Sequence, residues 1–297
     1  MNGVIVIYKQ KDFTSFDVVA VARGILREKK IGHSGTLDPM ATGVLPVLVG
    51  RAAKAQSLLP DTDKEYTAEF TLGITTDTLD MTGTVLSRRE CHVTKEEIET
   101  VLPRFRGNIM QVPPMYSAVQ KDGVRLYDLA RQGIEVQRQA RPVCIDTLRL
   151  TDFDEETQSG RLLIACSKGT YIRVICDDIG KALGCGCVMT ALCRTKACGF
   201  TLQDAVTLKE LEQIKNDGRL EDVLRPTDSI FSCFAPAYIS EKQAVRFSNG
   251  GALSLDRVKS VRNPENGTLY RVYGGQQFLG LGEADMEKGE LTVKKRF

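Results

Sequence analysis

One carboxylate stands out as the group on which chemistry could turn. Residues 32–50, GHSGTLDPMATGVLPVLVG, open on a glycine-rich turn, place Asp38 directly before Pro39, and run into an apolar segment, residues 44–49, closed by Gly50. Such a run reads as a buried strand or strand-helix segment bounded by turn signals. Proline pushes the residue before it towards the extended region. Asp38 is therefore expected on a fixed loop at the edge of a core element, a usual place for catalytic groups. The same dipeptide also starts plain turns. A carboxylate held there can attack a carbon centre or withdraw a proton. Either role requires it to be ionised, held in place and sheltered from bulk water.

The elements that must position Asp38 are legible in outline. Residues 3–8 suit a strand. Thr14 and Asp17 resemble a capping box for a helix continuing to about Glu28, with Val18, Val19, Ala22, Ile25 and Leu26 at helical spacing. Residues 51–59 read as a helix carrying Lys54 and ended by Pro60. In residues 64–72, KEYTAEFTL, Tyr66, Ala68, Phe70 and Leu72 share one face of a strand, so Tyr66 points to the core or a cleft. A polar loop, residues 73–83, follows and contains Asp80. Residues 93–102 form a helix capped by Thr94, with His92 on the surface before it.

Further on, two strands, 142–152 and 160–167, flank an acidic turn. Lys168-Gly169-Thr170 leads into a helix over 171–183 that carries Tyr171 and Arg173 and stops at Gly184. Residues 188–198 return as a strand containing Leu192 and Arg194. Strands and helices occur without regular βαβ alternation, so the class is α+β. Pro226, Ser229, Ser232 and Pro236 interrupt the pattern, and short strands with glycine turns follow a helix near residues 240–250. The expected division is 1–234 and 235–297.

Composition bounds the function. The chain has 297 residues, 40 basic and 38 acidic side chains and a net charge of +2, so a general polyanion binder is not indicated and any positive surface must be local. No apolar run approaches the ~20 residues needed to span a bilayer, and residues 1–13 read as a strand rather than a signal peptide. A cytoplasmic location is the resulting expectation. Five of nine cysteines cluster, Cys176, Cys185, Cys187, Cys193 and Cys198, but without a C-x-x-C pair, so buried thiols are expected in place of zinc. The turn at residues 32–35 lacks the Gly-Lys-Ser/Thr of a P-loop.

Residues 33–46, HSGTLDPMATGVLP, resemble the signature of the TruB family, the tRNA pseudouridine-55 synthases. Lys64-Glu65-Tyr66, residues 73–80 (GITTDTLD), 111–118 (QVPPMYSA) and 168–173 (KGTYIR) occur in the family's order, and the resemblance covers essentially the whole chain. It implies a pseudouridine-synthase core of mixed and antiparallel sheet with flanking helices. A thumb insertion is expected at about 112–142, with a small β-rich, PUA-like RNA-binding module at 235–297. Asp38 would be the catalytic carboxylate, paired at two points with Arg173, and Tyr66 the active-site tyrosine. Tyr171, Leu192, Lys54 and Asp80 would serve substrate binding. His33 would wedge into the gap left by a flipped base.

The implied activity is isomerisation of the tRNA T-loop uridine, position 55, without cofactor or metal, by a monomer acting on the tRNA elbow. Lys121, Arg125, Arg131, Arg138 and Arg141, interleaved with Tyr116 and Tyr127, suit looped RNA, where charge follows phosphate and rings stack on bases. A non-catalytic tRNA-binding or tRNA-folding protein on the same scaffold is the competing class. An intact Asp38, Tyr66 and Arg173 set argues against it.

Overall fold

A computed structural model describes residues 1–59 and 64–297. In chain order the first strands are β1 (Gly3–Lys9), β2 (Ile31–His33), β3 (Thr42–Val49) and β4 (Lys64–Leu72), followed by the small hairpin β5 (Ile74–Thr76) and β6 (Val85–Arg88). Next come β7 (Gly107–Gln111), the hairpin β8 (Gln120–Lys121) and β9 (Val124–Arg125), β10 (Arg141–Asp154), β11 (Ser159–Cys166), β12 (Cys187–Ala197) and β13 (Phe200–Thr201). The main sheet runs β1-β3-β12-β4-β11-β10-β7, with β2 added beside β3 and β13 beside β12. All its pairs are antiparallel except β3 with β12. The expected mixed and antiparallel core is therefore present.

Apolar alternation explains where this sheet buries its faces. Tyr66, Ala68, Phe70 and Leu72 of β4 all face inward, and the residues between them are half-buried. They meet Ile172, Ile175 and Ile179 of α4 (Ile172–Ala182), after α1 (Ser15–Leu26), α2 (Lys95–Val101) and α3 (Leu126–Arg131) in the chain. Gly180 sets how near α4 comes to the sheet, because a Cβ there would fall on the backbone nitrogen of Cys187 in β12. Complete capping boxes start α1 at Thr14 and α2 at Thr94, each satisfying two end groups of the helix.

The helix expected over residues 51–59 is present as a 3-10 helix, Gly50–Leu58, and Pro60, expected to end it, lies outside the described residues. The segment 73–83 is no plain polar loop: β5 and β6 pair across it, and Thr76 and Asp80 are buried. A helix absent from the sequence reading, α5 (Leu208–Asn216), starts at a capping box of Thr207 and Glu210 and packs Leu211 beneath α1.

The thumb segment has a simple topological origin. β7 and β10 pair directly, Gln111 opposite Arg141, so residues 112–140 leave and rejoin the sheet at neighbouring positions. The second sheet holds only strands from Ala235 onward: β14 (Ala235–Ile239), β15 (Leu253–Ser254), β16 (Leu269–Gly274), β17 (Gln277–Asp285) and β18 (Glu290–Arg296), with α6 (Glu241–Ser248) against it. Phe231, Phe278 and Phe297 cluster with ring centroids 5.6–6.4 Å apart, the last two stacked and Phe231 tilted against both, and join this module to β1 and β3.

Candidate active site

Asp38 lies in the loop between β2 and β3, and two buried side chains fix that loop from either side. Ser15, first residue of α1, accepts from the Leu37 backbone N–H at 2.8 Å and donates back to the Leu37 carbonyl at 3.3 Å. Lys9 ends β1 with its ammonium turned inward, donating to the carbonyls of Pro39 at 3.1 Å and Ala41 at 2.5 Å. The loop backbone is thus tied down on both sides of Asp38, while its carboxylate stays about one-third exposed to a cavity. Burial brings the Lys9 ammonium down to about 8, against the pull of Asp38 and Asp12.

That cavity, about 260 Å³, is lined by Asp38, Tyr66, Tyr171, Arg173 and Leu192, together with Lys64, Met189 and Ser117 and Ala118 of the thumb segment. Strand register accounts for the convergence. Tyr66 in β4 stands opposite Arg194 in β12, Leu192 stands opposite Ala68, and α4 delivers Arg173 from its first turn. Gln111 fixes Tyr171 by imitating a strand: its amide accepts from the Tyr171 N–H at 2.8 Å and donates to the Tyr171 carbonyl at 3.1 Å.

The expected two-point pairing of Arg173 with Asp38 is not what the geometry contains. One guanidinium nitrogen, Nη1, lies 3.4 Å from Asp38 and 3.3 Å from Asp80, and Nη2 donates to the Tyr116 carbonyl at 2.5 Å. Asp80 is buried and claims its share of the charge. Three threonine groups hold its other oxygen: the hydroxyls of Thr78 and Thr82 and the Thr82 N–H. Arg173 therefore joins the Asp38 loop, the Asp80 turn and the thumb in one place, and it also stands 5.8 Å over the Tyr171 ring.

Burial pushes the Tyr66 phenol up, and the nearby Arg194 charge opposes that rise. His33, at the end of β2, is lowered first by burial and then by Arg194, so its ring is neutral at pH 7. It does not line the Asp38 cavity. Neither does Lys54, which lies in a separate groove with Arg51 and with Gln277 and Arg296 of the C-terminal module. In the thumb, Tyr127 is flanked by Arg125 and Arg131 at 5.7 and 5.4 Å, and Tyr116 donates to Asp77 at 3.3 Å.

Arg194, expected on the strand that is β12 but given no role by its sequence, is the further residue of the site. Its side chain is fully buried, donating to the carbonyls of Val44 at 2.8 Å and Gly35 at 3.3 Å, and its Nη1 has no partner. A basic residue inside an apolar strand was the available signal, since such groups are almost never fully buried without reason.

Three family models match consecutive parts of the chain: TruB family pseudouridylate synthase (N terminal domain) over 23–172, tRNA pseudouridylate synthase B C-terminal domain over 173–232, and Pseudouridine synthase II TruB, C-terminal, over 235–295. The chain belongs to the TruB family. Among its relatives, proteins named tRNA pseudouridine synthase B from Clostridium perfringens and Stutzerimonas stutzeri are 43% and 40% identical. Those matches cover 97% and 99% of this chain and 97% and 95% of the relatives. A solved Cbf5-Nop10-Gar1 complex contains a chain of the same fold, with a TM-score of 0.79 and 25% identity over 99% of this chain and 84% of that one. Within this TruB-family chain, no helix among the described residues is long and apolar enough to cross a membrane.

Proposed function

We propose that this chain is a tRNA pseudouridine synthase that isomerises the T-loop uridine at position 55. The observation that carries the reading is the meeting of Asp38, Tyr66 and Arg173 in one cavity of a TruB-family fold. Fold alone would not license it; the site residues do.

The reaction breaks the bond from ribose C1′ to uracil N1, makes a bond from C1′ to C5, moves a proton from C5 to solvent and returns one to N1. Asp38, anchored by its loop and facing Arg173, is the group that attacks covalently or moves the proton. Tyr66 and Leu192 offer apolar surface to the uracil, and Tyr171, locked by Gln111, closes the other side. Burial keeps the Tyr66 phenol protonated, so use of that oxygen as a proton acceptor leans on the Arg194 charge.

A base inside a folded loop must first be flipped out, at a cost of a few kcal/mol. The neutral His33 ring is suited to stack in the vacancy and offset part of that cost. Basic groups of the thumb and of the Lys54 groove would follow phosphate along the tRNA elbow. On this reading residues 1–234 are the catalytic domain and 235–297 a PUA-like RNA-binding module, working as a cytoplasmic monomer.

Tritium release from tRNA transcript labelled at uridine C5 tests this directly. Wild type releases the label. Asp38→Asn, compared at matched RNA affinity, falls by about 10³-fold or more, the scale on which positioned acid–base groups act. Binding without release by the wild type ends the enzyme reading.

A further inference from the structure

Beside the reacting groups lies positive charge that no described carboxylate compensates. Arg173 is compensated by Asp38 and Asp80, but no described carboxylate makes an ion pair with Lys64 or Arg194. These two cations converge on Gly35, in the turn before Asp38. A Cβ built on Gly35 would lie 3.4 Å from the Lys64 ammonium and 3.9 Å from Arg194 Nη1. Arg194 Nη1 is buried and without a hydrogen-bond partner, while Lys64 reaches the Asp38 cavity. Burial and then the Arg194 charge both disfavour the Lys64 ammonium. Two unpaired cations this close raise each other's energy, and an anion brought between them and solvent relieves both.

We infer that Lys64 is the receptor for a backbone phosphodiester of the RNA beside the nucleotide whose base enters the Asp38 cavity, with Arg194 supplying a second uncompensated charge from beneath Gly35. The inference rests on the isomerase reading for the identity of the RNA. Lys64 makes the contact, because Arg194 is fully enclosed. Gly35, with φ +91°, keeps the approach free of a side chain. A phosphate held there fixes the ribose between backbone and base, and so sets where C1′ stands relative to Asp38.

The experiment is a binding cycle between protein and RNA. Lys64→Met and Lys64→Arg are compared with wild type on a T-stem-loop RNA, fully charged or carrying one neutral methylphosphonate at each linkage flanking the target uridine in turn. At one linkage the neutral RNA binds wild type about tenfold more weakly, as for loss of a charge-assisted hydrogen bond. K64M shows a similar loss with charged RNA, no further loss at that linkage, and a salt slope smaller by about one. K64R restores the dependence. Equal penalties for K64M on every RNA, or a K64M that binds as wild type does, overturn the inference. Pseudouridine formation by wild type on the charged RNA is scored in parallel. Its absence would sink the isomerase reading, while the binding cycle judges the phosphate contact by itself.

Discussion

Asp38 and Asp80 share a single guanidinium nitrogen, Arg173 Nη1 standing 3.4 Å from one and 3.3 Å from the other. The division is unequal in setting: Asp80 is buried and braced by threonines, whereas Asp38 faces the cavity. With Nη1 shared with Asp80 and Nη2 given to the Tyr116 carbonyl, Arg173 does not close fully onto Asp38, whose carboxylate stays open to the cavity. Asp80→Asn leaves the buried guanidinium short of one partner. Breaking such a pair costs about 3–5 kcal/mol of stability, and kcat should fall at least tenfold while RNA affinity holds. Unfolding curves and single-turnover rates check the two parts. A destabilised variant with an unchanged rate would show that Asp80 only supports the fold.

Gln111 stands in for a strand at Tyr171, and replacing its amide leaves the Tyr171 N–H without its partner, while the Tyr171 carbonyl keeps the N–H groups of Val174 and Ile175. Gln111→Leu is expected to lower stability by about 1–3 kcal/mol, the usual cost of unmet buried polar groups. Urea midpoints measure it. A loss below about 0.5 kcal/mol would mean that water or a neighbour takes over.

His33 carries a pH signature. Burial and Arg194 hold its folded pKa below the ordinary 6.5, so as pH falls below 6.5 the unfolded chain takes up a proton that the folded chain refuses. Stability therefore drops with acidity in that window, by linkage. His33→Gln should flatten this slope between pH 7 and 5.5 in melting experiments. Identical slopes in both proteins would remove His33 from the account.

Lys9 acts at the other end of the scale. Its folded pKa of about 8 lies below the free value of 10.5, so the penalty on its buried ammonium is fully present below pH 8 and fades as pH rises towards 10.5. Activity should move the opposite way, since deprotonation weakens the donor that holds Pro39 and Ala41. We expect kcat/KM of wild type to decline with a midpoint near pH 8, and Lys9→Met to lack that limb. Persistence of the limb in the variant would assign it elsewhere.

Local patterning carried most of the architecture into view. The Thr14–Asp17 and Thr94–Glu97 boxes, and the alternation through Tyr66 to Leu72, are short-range signals, and the structure repeats them. Helix α5 carries an equally local signal in Thr207, Leu208 and Glu210. Asp38 stands out by its Asp-Pro setting, but its catalytic role, like those of Arg173 and Tyr66, comes from the resemblance to the family's motifs. What no local pattern holds is the sharing of Arg173 with Asp80. It depends on a helix, a turn and a loop up to 135 residues apart meeting at one nitrogen. Lys9 is similar: a lysine at the end of a strand reads as solvent-facing until β3, with Gly43 opposite it, brings the carbonyl of the preceding Ala41 within its reach.

The direct pairing of Gln111 with Arg141 has a consequence for how this protein can change. Both ends of residues 112–140 are fixed by the same ladder, so the sheet is indifferent to how long the excursion is, and each doubling adds only about 0.6 kcal/mol of closure entropy. Inheritance can lengthen, shorten or exchange that segment while β7 and β10 remain in register. The position is a natural graft point, where a different RNA contour can be met by a new loop on an old frame.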